Sequence, residues 1–316
     1  GDLSMGDKLE KLAFNALPAT VKADMTSHQY LQQVNQVRAS DEPRRWYNNA
    51  NNSNTFGLEP NFGCCTANMH QGWPKYAANL WMATRDDGLA ALSYAPCTVR
   101  FRAGGQPVRL RVKTEYPFED AVRIEVSVKT SCRFPVYLRV PTWCNEFKAV
   151  CAGETASVKD SVAKTEREWH TGDVIEISLP MTARATEWFH QSRAVEYGPL
   201  LMALPIAEEW RVTKGRRYVS DYEVWPESEW NWALVDGGDL SARHIEKCGE
   251  AGFTGEAPVK LKVSAVRAPE WGMDGASCAN PPIGMKYSKG AEQEIELVPY
   301  GIAKLHVAQF PVAKAE

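Results

Sequence analysis

From residue 88 onwards, apolar residues recur at every second position, and this alternation constrains the fold more than any other feature of the chain. Four segments show it clearly, with apolar members Val108, Leu110 and Val112; Val122, Ile124, Val126 and Val128; Val136, Leu138 and Val140; and Ile175, Ile177 and Leu179. Such alternation is typical of half-buried antiparallel strands. The turn sequences AGGQP, YPFED and TGD separate the segments, so residues 88–205 are predicted to form a β-sandwich domain.

Only two segments ahead of this region have helical spacing. Residues 5–17 have the apolar spacing of an amphipathic helix. A capping box of Ser4 and Asp7 would begin this helix, and Pro18 would end it. The second pattern covers residues 66–83, and Pro74 interrupts it: either the helix kinks there, or a short turn precedes a helix whose first turn holds the proline. A single amphipathic helix cannot bury its own apolar face and must pack on other helices, and the sequence supplies only one further candidate.

The remaining segments complete the predicted organisation. SHQYLQQVNQV, residues 27–37, is a candidate strand, and residues 41–63 are rich in Asn, Gly and Pro and are predicted to form a long surface loop. Further alternation towards the end predicts a smaller C-terminal β-domain over 206–316. The predicted fold class is therefore α+β and mostly β, with a helical part over 1–87 ahead of the two β-domains.

Charge and composition exclude several classes of partner. The formal net charge is −3, with both signs dispersed along the chain, so neither a nucleic-acid nor a membrane-surface partner is expected. No stretch approaches the roughly 20 apolar residues of a membrane span, and the first residues lack the pattern of a signal peptide. We predict a soluble protein and favour the cytoplasm, although a preceding segment would leave the compartment open.

The stretch NFGCCTANMHQGWPK contains the most unusual residues, the adjacent cysteines Cys64 and Cys65. Four interpretations are open: a buried apolar pair, a vicinal disulfide, metal ligands, or a nucleophile with its helper. The disulfide ranks last because it closes a strained eight-membered ring. Buried thiols are common, but this pair follows a polar loop, and neighbouring side chains seldom share one core pocket. The other six cysteines form no CxxC pair and are mostly predicted to be free thiols.

The metal and nucleophile interpretations have chemistry in their favour. Zinc prefers thiolates but needs three or four ligands, and the sequence offers only His28 and His70 nearby. A cysteine at the start of a helix gains from the helix dipole, which favours the thiolate. The residues alone therefore favour a site over core packing and name no reaction.

A few other residues are candidates for sugar binding. His28, Gln29 and Tyr30 offer mixed hydrogen-bonding groups and an apolar face, or are merely alternating residues of a strand. Tryptophans such as Trp188 could stack on sugar rings, although most of the chain's 11 tryptophans are expected to pack in the core or between domains.

Five segments of the sequence resemble the glycoside hydrolase family 127 group, whose founding activity is β-L-arabinofuranosidase. These segments are FGCCTANMHQGWPK, KLAFNALPA, RDDGLAALSYAP, EYGPLLMALPI and ELVPYGIAKLHVAQFP. The resemblance implies an (α/α)6 barrel followed by β-sandwich domains, of which this chain holds the end of the barrel and the β-domains. It also implies retaining hydrolysis of plant-type glycans by a zinc-bound cysteine thiolate. Cys64 matches the nucleophile and a zinc ligand, and Cys65 matches a second ligand.

The sequence departs from the family pattern in two ways. The family's remaining zinc ligands, a glutamate and a cysteine, and its acid/base glutamate match positions upstream of Gly1, so a helical region in the same or another chain is expected to supply them. Thr66 and Ala67 stand where well-known members have two prolines, and only Asn68 matches. Asn68 and His70 join the candidates for substrate binding. The alternative hypothesis is a non-catalytic carbohydrate-binding or structural β-module.

Overall fold

The computed structural model describes residues 2–215, 219–238, 240, 246–247 and 252–316, and Cys248 lies outside this part of the chain. The chain divides into two compact units. The first unit consists of Gly1–Leu12 and Trp73–Thr182, and the second of Ala13–Gly72 and Ala183–Glu316. The domain boundaries after residues 87 and 205 stay predictions.

In the part of the chain that the structure describes, helices are few and short. They are α1 (Met5–Lys11), a π-helical turn (Leu12–Ala16), α2 (Leu17–Ala19), α3 (Gly63–Met69), α4 (Gly72–Ala78) and two short 3-10 segments (Asn51–Asn54 and Phe189–Gln191). Within the described residues, no helix has the length and apolar content needed to cross a membrane.

Strands make up most of the regular structure, which confirms the predicted mostly-β fold class. The first unit contains β2 (Trp81–Ala83), β3 (Leu89–Ala91), β4 (Cys97–Ala103), β5 (Gln106–Thr114), β6 (Ala121–Val128), β7 (Cys132–Arg139), β8 (Lys148–Cys151), β9 (Glu154–Thr155), β10 (Ser157–Lys159), β11 (Val162–Trp169) and β12 (Val174–Ser178). The second unit contains β1 (Asn35–Gln36), β13 (Ala183–Glu187), β14 (Arg193–Tyr197), β15 (Leu200–Pro205), β16 (Glu208–Lys214), β17 (Asp221–Pro226), β18 (Trp232–Val235), β19 (Glu246–Lys247), β20 (Val259–Arg267), β21 (Met273–Asp274), β22 (Ser277–Cys278), β23 (Met285–Tyr287), β24 (Gln293–Pro299), β25 (His306–Val307) and β26 (Val312–Ala315).

The first unit is a β-sandwich, as the alternation predicts. One sheet has the order β10-β11-β7-β3-β2, and the other has the order β4-β5-β6-β12-β8-β9. Alternate residues of β5 are buried and exposed, so one face of its sheet lies against the core. In this core the Phe134 ring of one sheet lies 5.2 Å from the Phe101 ring of the other and 5.6 Å from the Trp169 ring.

A buried ion pair fixes α1 to the sandwich. Glu10 is fully buried and its carboxylate lies 2.5 Å from the Arg139 guanidinium of β7. The same carboxylate accepts hydrogen bonds from Ser93 and Tyr116. Asp7, one turn earlier in the helix, also pairs with Arg139. A buried charge persists only when it is paired and hydrogen-bonded, and here both conditions hold.

The second unit is built on one large sheet. The strand order along its main path is β1-β25-β15-β24-β20-β18-β26-β23. Off this path, β14 pairs with β15, β13 pairs with β14, and β19 pairs with β20. Fully buried side chains from the central strands and the loops beside them form its core, among them Leu200, Met202, Val259, Leu297 and Phe310. The β16–β17 hairpin forms a separate two-stranded sheet.

The first helical pattern differs from the prediction at both ends. Ser4 makes no side-chain cap, and its N–H donates instead to Asp2 Oδ1 at 2.9 Å, so the capping-box prediction is wrong. The helical path also continues through Pro18 to Ala19. Because proline has no N–H, it removes one α-helical hydrogen bond, and the π-helical turn immediately before it accommodates this loss.

Residues 66–83 do not form one helix. They form α3 from its fourth residue, then α4, and finally β2, and Pro74 lies in the first turn of α4. This confirms the second of the two alternatives for the proline. The rest of the helical prediction is wrong because Trp81–Ala83 pair with β3, which supplies backbone partners that a helix would otherwise provide.

Two predictions on the preceding segments need correction. Only Asn35–Gln36 of the candidate strand 27–37 form a ladder, with β25. The predicted surface loop is buried over residues 53–57, because Phe56 bridges Tyr222 and Gly57 bridges His28. These bridges provide hydrogen bonds to the backbone of the loop, and the composition of the segment does not reveal them.

Candidate functional site

The adjacent cysteines lie in the first turn of α3. Phe62 is in an extended conformation just ahead of the helix, Gly63 begins it, and Cys64 and Cys65 follow. Cys64 is exposed and Cys65 is half-buried, and their sulfurs are 4.0 Å apart. Both thiols are free. The pair is therefore neither a disulfide nor part of a buried core, and it is available to a ligand.

The two thiols do not have the same surroundings. Partial burial raises the pKa of the Cys65 thiol, and the hydrogen bond and charge of the neighbouring Cys64 raise it further. A thiolate is the form that attacks electrophiles and binds metals. A nearby cation would oppose this shift and favour the Cys65 thiolate.

The spacing of the sulfurs suits one edge of a zinc site. With Zn–S bonds of about 2.3 Å, two ligands of a tetrahedral site lie roughly 3.8 Å apart, close to the 4.0 Å between Cys64 Sγ and Cys65 Sγ. In the described part of the chain, however, no three His, Cys, Asp or Glu side chains group together in a way that could hold a metal ion. The residues present therefore fit two of the ligands and no more.

Thr66 joins α3 to the segments that precede it. Its hydroxyl donates to the Leu58 carbonyl oxygen at 2.6 Å, and Nε2 of the buried His28 lies 3.1 Å from the same hydroxyl oxygen. Because the Thr66 proton goes to Leu58, the hydroxyl oxygen can accept from an N–H at Nε2. The other ring nitrogen, Nδ1, lies 3.1 Å from the Gln29 carbonyl oxygen. His28 also forms the backbone bridge with Gly57, so one histidine fixes both the loop and the helix.

The candidate residues fall on two faces of α3. Asn68 is four residues after Cys64, and residues at this spacing share a helix face; both are exposed. His70 is four residues after Thr66, and its Nδ1 lies 3.5 Å from the Thr66 carbonyl oxygen. The structure thus puts Asn68 with the exposed thiol, and it puts His28 and His70 with Thr66.

Gln29 and Tyr30 have different surroundings. The Gln29 amide is buried and donates to Gln36 Oε1 and to the Asn54 carbonyl oxygen, at 3.2 and 2.7 Å. Its own oxygen accepts from Gln36 at 2.9 Å, so the structure engages this amide within the protein. Tyr30 is half-buried, and its ring packs 5.5 Å from the ring of Phe62, the residue that precedes α3.

Sequence reasoning missed the roles of Thr66 and Phe62. Thr66 was noted only as a departure from the family's proline, yet a proline at this position has no hydroxyl to link Leu58 and His28. Phe62 is 48% exposed, and with Tyr30 it forms an aromatic surface directly before the cysteines. The polar side chain in the first turn of a predicted helix is the signal that could have pointed to Thr66.

Part of the chain matches a known family model. Residues 88–181 match the family model described as "Beta-L-arabinofuranosidase, GH127 middle domain". A comparison with curated protein sequences gave no match.

Three solved structures resemble nearly the whole chain. A GH127 β-L-arabinofuranosidase from Geobacillus stearothermophilus is 18% identical with a TM-score of 0.66, and the alignment covers 98% of this chain and 46% of that one. A structure described as a glycoside hydrolase is 20% identical with a TM-score of 0.69, covering 99% and 49%. A structure described as a GH127 β-arabinofuranosidase is 18% identical with a TM-score of 0.67, covering 99% and 47%.

At these identities the solved structures establish the fold, and the chain spans about half the length of the proteins it matches. The resemblance predicted from the sequence is confirmed: residues 88–181 match the GH127 middle-domain model, and nearly the whole chain has the fold of about half of each of the three solved structures.

Proposed function

We propose that this chain is part of a retaining glycoside hydrolase of the β-L-arabinofuranosidase type that acts on plant-type glycans, with Cys64 as its nucleophile. The observation that carries the proposal is the free thiol pair at the start of α3, with Cys64 exposed and its sulfur 4.0 Å from that of Cys65. The GH127 middle domain that follows in the chain supports the reaction class.

Cys64 and Cys65 are proposed to hold a zinc ion as two of its four ligands. When bound, zinc supplies a positive charge that keeps the ligating thiolates deprotonated at neutral pH. Such a charge would oppose the effect of partial burial, which raises the pKa of the Cys65 thiol. We propose that a helical region outside this chain's described residues, in the same or another polypeptide, supplies the other two ligands.

In the proposed reaction, the Cys64 thiolate attacks the anomeric carbon of the sugar and forms a carbon–sulfur bond. The carbon–oxygen bond to the leaving group breaks, and a carboxylic acid from the same outside region gives its proton to the leaving oxygen. The resulting carboxylate then takes a proton from a water molecule, which displaces the sulfur and regenerates the thiolate. Two displacements at one carbon retain its configuration.

Substrate contacts are proposed for the candidates around the thiol. Asn68 lies on the same face of α3 as Cys64 and is proposed to hydrogen-bond a sugar hydroxyl. Tyr30 offers a ring face and a hydroxyl, and that hydroxyl accepts from Asn49 at 2.9 Å. His28, Gln29 and His70 stay proposals for the same role, and the contacts of His28 and Gln29 within the protein favour a positioning role for these two.

The proposal is tested by activity and metal content together. The assay is release of the aryl group from an aryl β-L-arabinofuranoside, and zinc is measured by mass spectrometry in the same samples. We expect no turnover from this chain alone. We expect turnover once the coding sequence upstream of Gly1 is included, with a loss of at least about 10³-fold on Cys64→Ala.

Two comparisons make the test specific. Cys65→Ala is expected to lower zinc content along with activity, whereas Cys132→Ala, a change at a half-buried strand cysteine, is the matched control that should leave both unchanged. Activity that survives Cys64→Ala would refute the nucleophile assignment. Turnover by this chain alone, lost on Cys64→Ala, would refute the need for an outside region.

A further inference from the structure

A cleft of about 720 Å³ lies in the second unit, and none of its lining residues belongs to α3 or to the segments that contact α3. The cleft is lined by the turn between β13 and β14, by the segment leading into β23, and by the end of β26. Its volume is within the roughly 300–1,000 Å³ typical of ligand pockets. It is therefore large enough for one or two sugar units.

The charged groups of this cleft balance one another. Asp236 pairs with Arg193 at 2.7 Å and with Lys314 at 3.5 Å. Glu187 and Glu316 add two further negative charges and Lys286 adds one positive charge, so the lining holds three charges of each sign. A lining of this kind has both donors and acceptors but little net field, and hydroxyl groups can both donate and accept. The chemistry therefore favours a neutral ligand rich in hydroxyls over an ion.

The turn at the edge of the cleft has an uncommon backbone. His190 and Gln191, two consecutive non-glycine residues that line the cleft, have φ of 57° and 55°. Each such residue costs on the order of 1–3 kcal/mol, and such strain often marks a functional site. The turn is held by the Trp188 N–H, which donates to the Ser192 carbonyl oxygen at 2.9 Å, and by a 3.3 Å contact between His190 Nδ1 and the Pro281 carbonyl oxygen.

This turn exposes two large aromatic side chains beside the cleft. Trp188 is 52% exposed and Phe189 is 63% exposed. The Phe189 ring lies 4.1 Å from the ring of His190, which lines the cleft. An aromatic face next to a cleft lined by polar groups matches the two sides of a sugar ring, because one side of the ring presents C–H groups and the edges present hydroxyls.

We propose that this cleft is a second glycan-binding site, at which Arg193, Asp236 and Lys314 bind the hydroxyls of a neutral oligosaccharide and Phe189 and Trp188 pack against its C–H face. We take this oligosaccharide to contain arabinose, and that choice rests on the proposed function. Binding at such a site would raise the local concentration of polymeric substrate without taking part in bond cleavage.

The test is native gel electrophoresis of the full chain in gels containing soluble arabinan, with polygalacturonate as the anionic comparison. Arabinan is expected to retard the chain, and polygalacturonate is not. The variant Trp188→Ala/Phe189→Ala should bind arabinan at least tenfold more weakly, and Asp236→Asn should also weaken binding. Since both aromatic side chains are exposed, their loss leaves the core intact; Val212→Ala, at another exposed apolar side chain of the second unit, is the control.

Two results would overturn the proposal: no retardation of the wild-type chain by arabinan, or equal retardation of the double aromatic variant. Retardation by polygalacturonate alone would overturn the assignment of a neutral ligand. The binding readout is independent of hydrolysis. If no sugar is released in the aryl arabinofuranoside assay while arabinan binding depends on Trp188 and Phe189, the proposed function fails and the glycan site stands.

Discussion

Replacing Thr66 by valine tests whether one hydroxyl fixes the helix that carries the thiols. The change keeps the shape of the side chain but removes two hydrogen bonds, the one donated to the Leu58 carbonyl oxygen at 2.6 Å and the one between His28 Nε2 and the Thr66 hydroxyl at 3.1 Å. Thr66→Ser is the matched control because it keeps the hydroxyl.

The two losses have different costs. His28 is 4% exposed. Without the Thr66 hydroxyl its ring can hold the proton on Nδ1, which lies 3.1 Å from the Gln29 carbonyl oxygen, and the buried Nε2 is left without a partner, at a cost of about 1–3 kcal/mol. Leu58 is exposed, so water can replace the lost partner of its carbonyl oxygen and that loss adds little. We expect Thr66→Val to lower the free energy of local opening by about 1–2 kcal/mol in total. This loss raises the equilibrium constant for local opening by roughly 5–30-fold.

Native-state hydrogen exchange measures this opening directly. The amides to follow are those of His28 and Gly57, which hydrogen-bond each other's carbonyls at 2.9 and 3.0 Å, and that of Cys65 in α3. Thr66→Val should accelerate their exchange by the predicted factor, and Thr66→Ser should leave it near wild type. If the valine and serine variants exchange alike, the hydroxyl does not fix the helix and the reasoning is refuted.

Three further predictions concern stability and are measured by urea unfolding. Glu10→Ala leaves the buried Arg139 without its fully buried partner and should cost about 3–5 kcal/mol, whereas the double change Glu10→Leu with Arg139→Met should cost far less; equal losses would contradict this explanation. Burial lowers the pKa of His306 to about 4, so the folded protein keeps this histidine neutral while the unfolded chain binds a proton from pH 6.5 downwards. Stability should therefore fall by roughly 3 kcal/mol between pH 6.5 and 4, and His306→Gln should flatten this dependence; an unchanged slope would show that other groups cause it. A Cβ at Gly88 would meet a backbone carbonyl oxygen at 2.4 Å, whereas one at Gly272 meets nothing within 4 Å. Gly88→Ala should thus cost about 1–3 kcal/mol and Gly272→Ala should be nearly neutral, and a reversed order would argue against the packing.

The β-strands could be read from the sequence because one local rule decides them. In β5 and β6 the apolar residues alternate with polar ones, and the structure buries Val108, Leu110, Val112, Val122, Ile124 and Val126 as the pattern requires. The period of two is a property of each strand alone, so no knowledge of the partner strand was needed.

The helical region was harder because distant residues decide it. Trp81 forms a strand rather than the end of a helix because Ala91 lies opposite it in the sheet. Similarly, Phe56 and Gly57 lie in an Asn-rich segment that composition assigns to the surface, yet Tyr222 and His28 bridge them and bury them. Such partners are far along the chain, and local propensity carries no information about them.

By itself, the sequence determined that the chain is mostly β, that the region from residue 88 forms a sandwich, and that Cys64 and Cys65 begin a helix after a polar loop. These conclusions depend on local periodicity and on residue chemistry. Only the tertiary structure decided that Thr66 and His28 fix that helix and that Glu10 pairs with Arg139. It also decided that the turn between β13 and β14, which carries Trp188, lies beside a polar cleft. Each of these depends on hydrogen bonds or ion pairs between segments far apart in the chain, and folding alone brings them together.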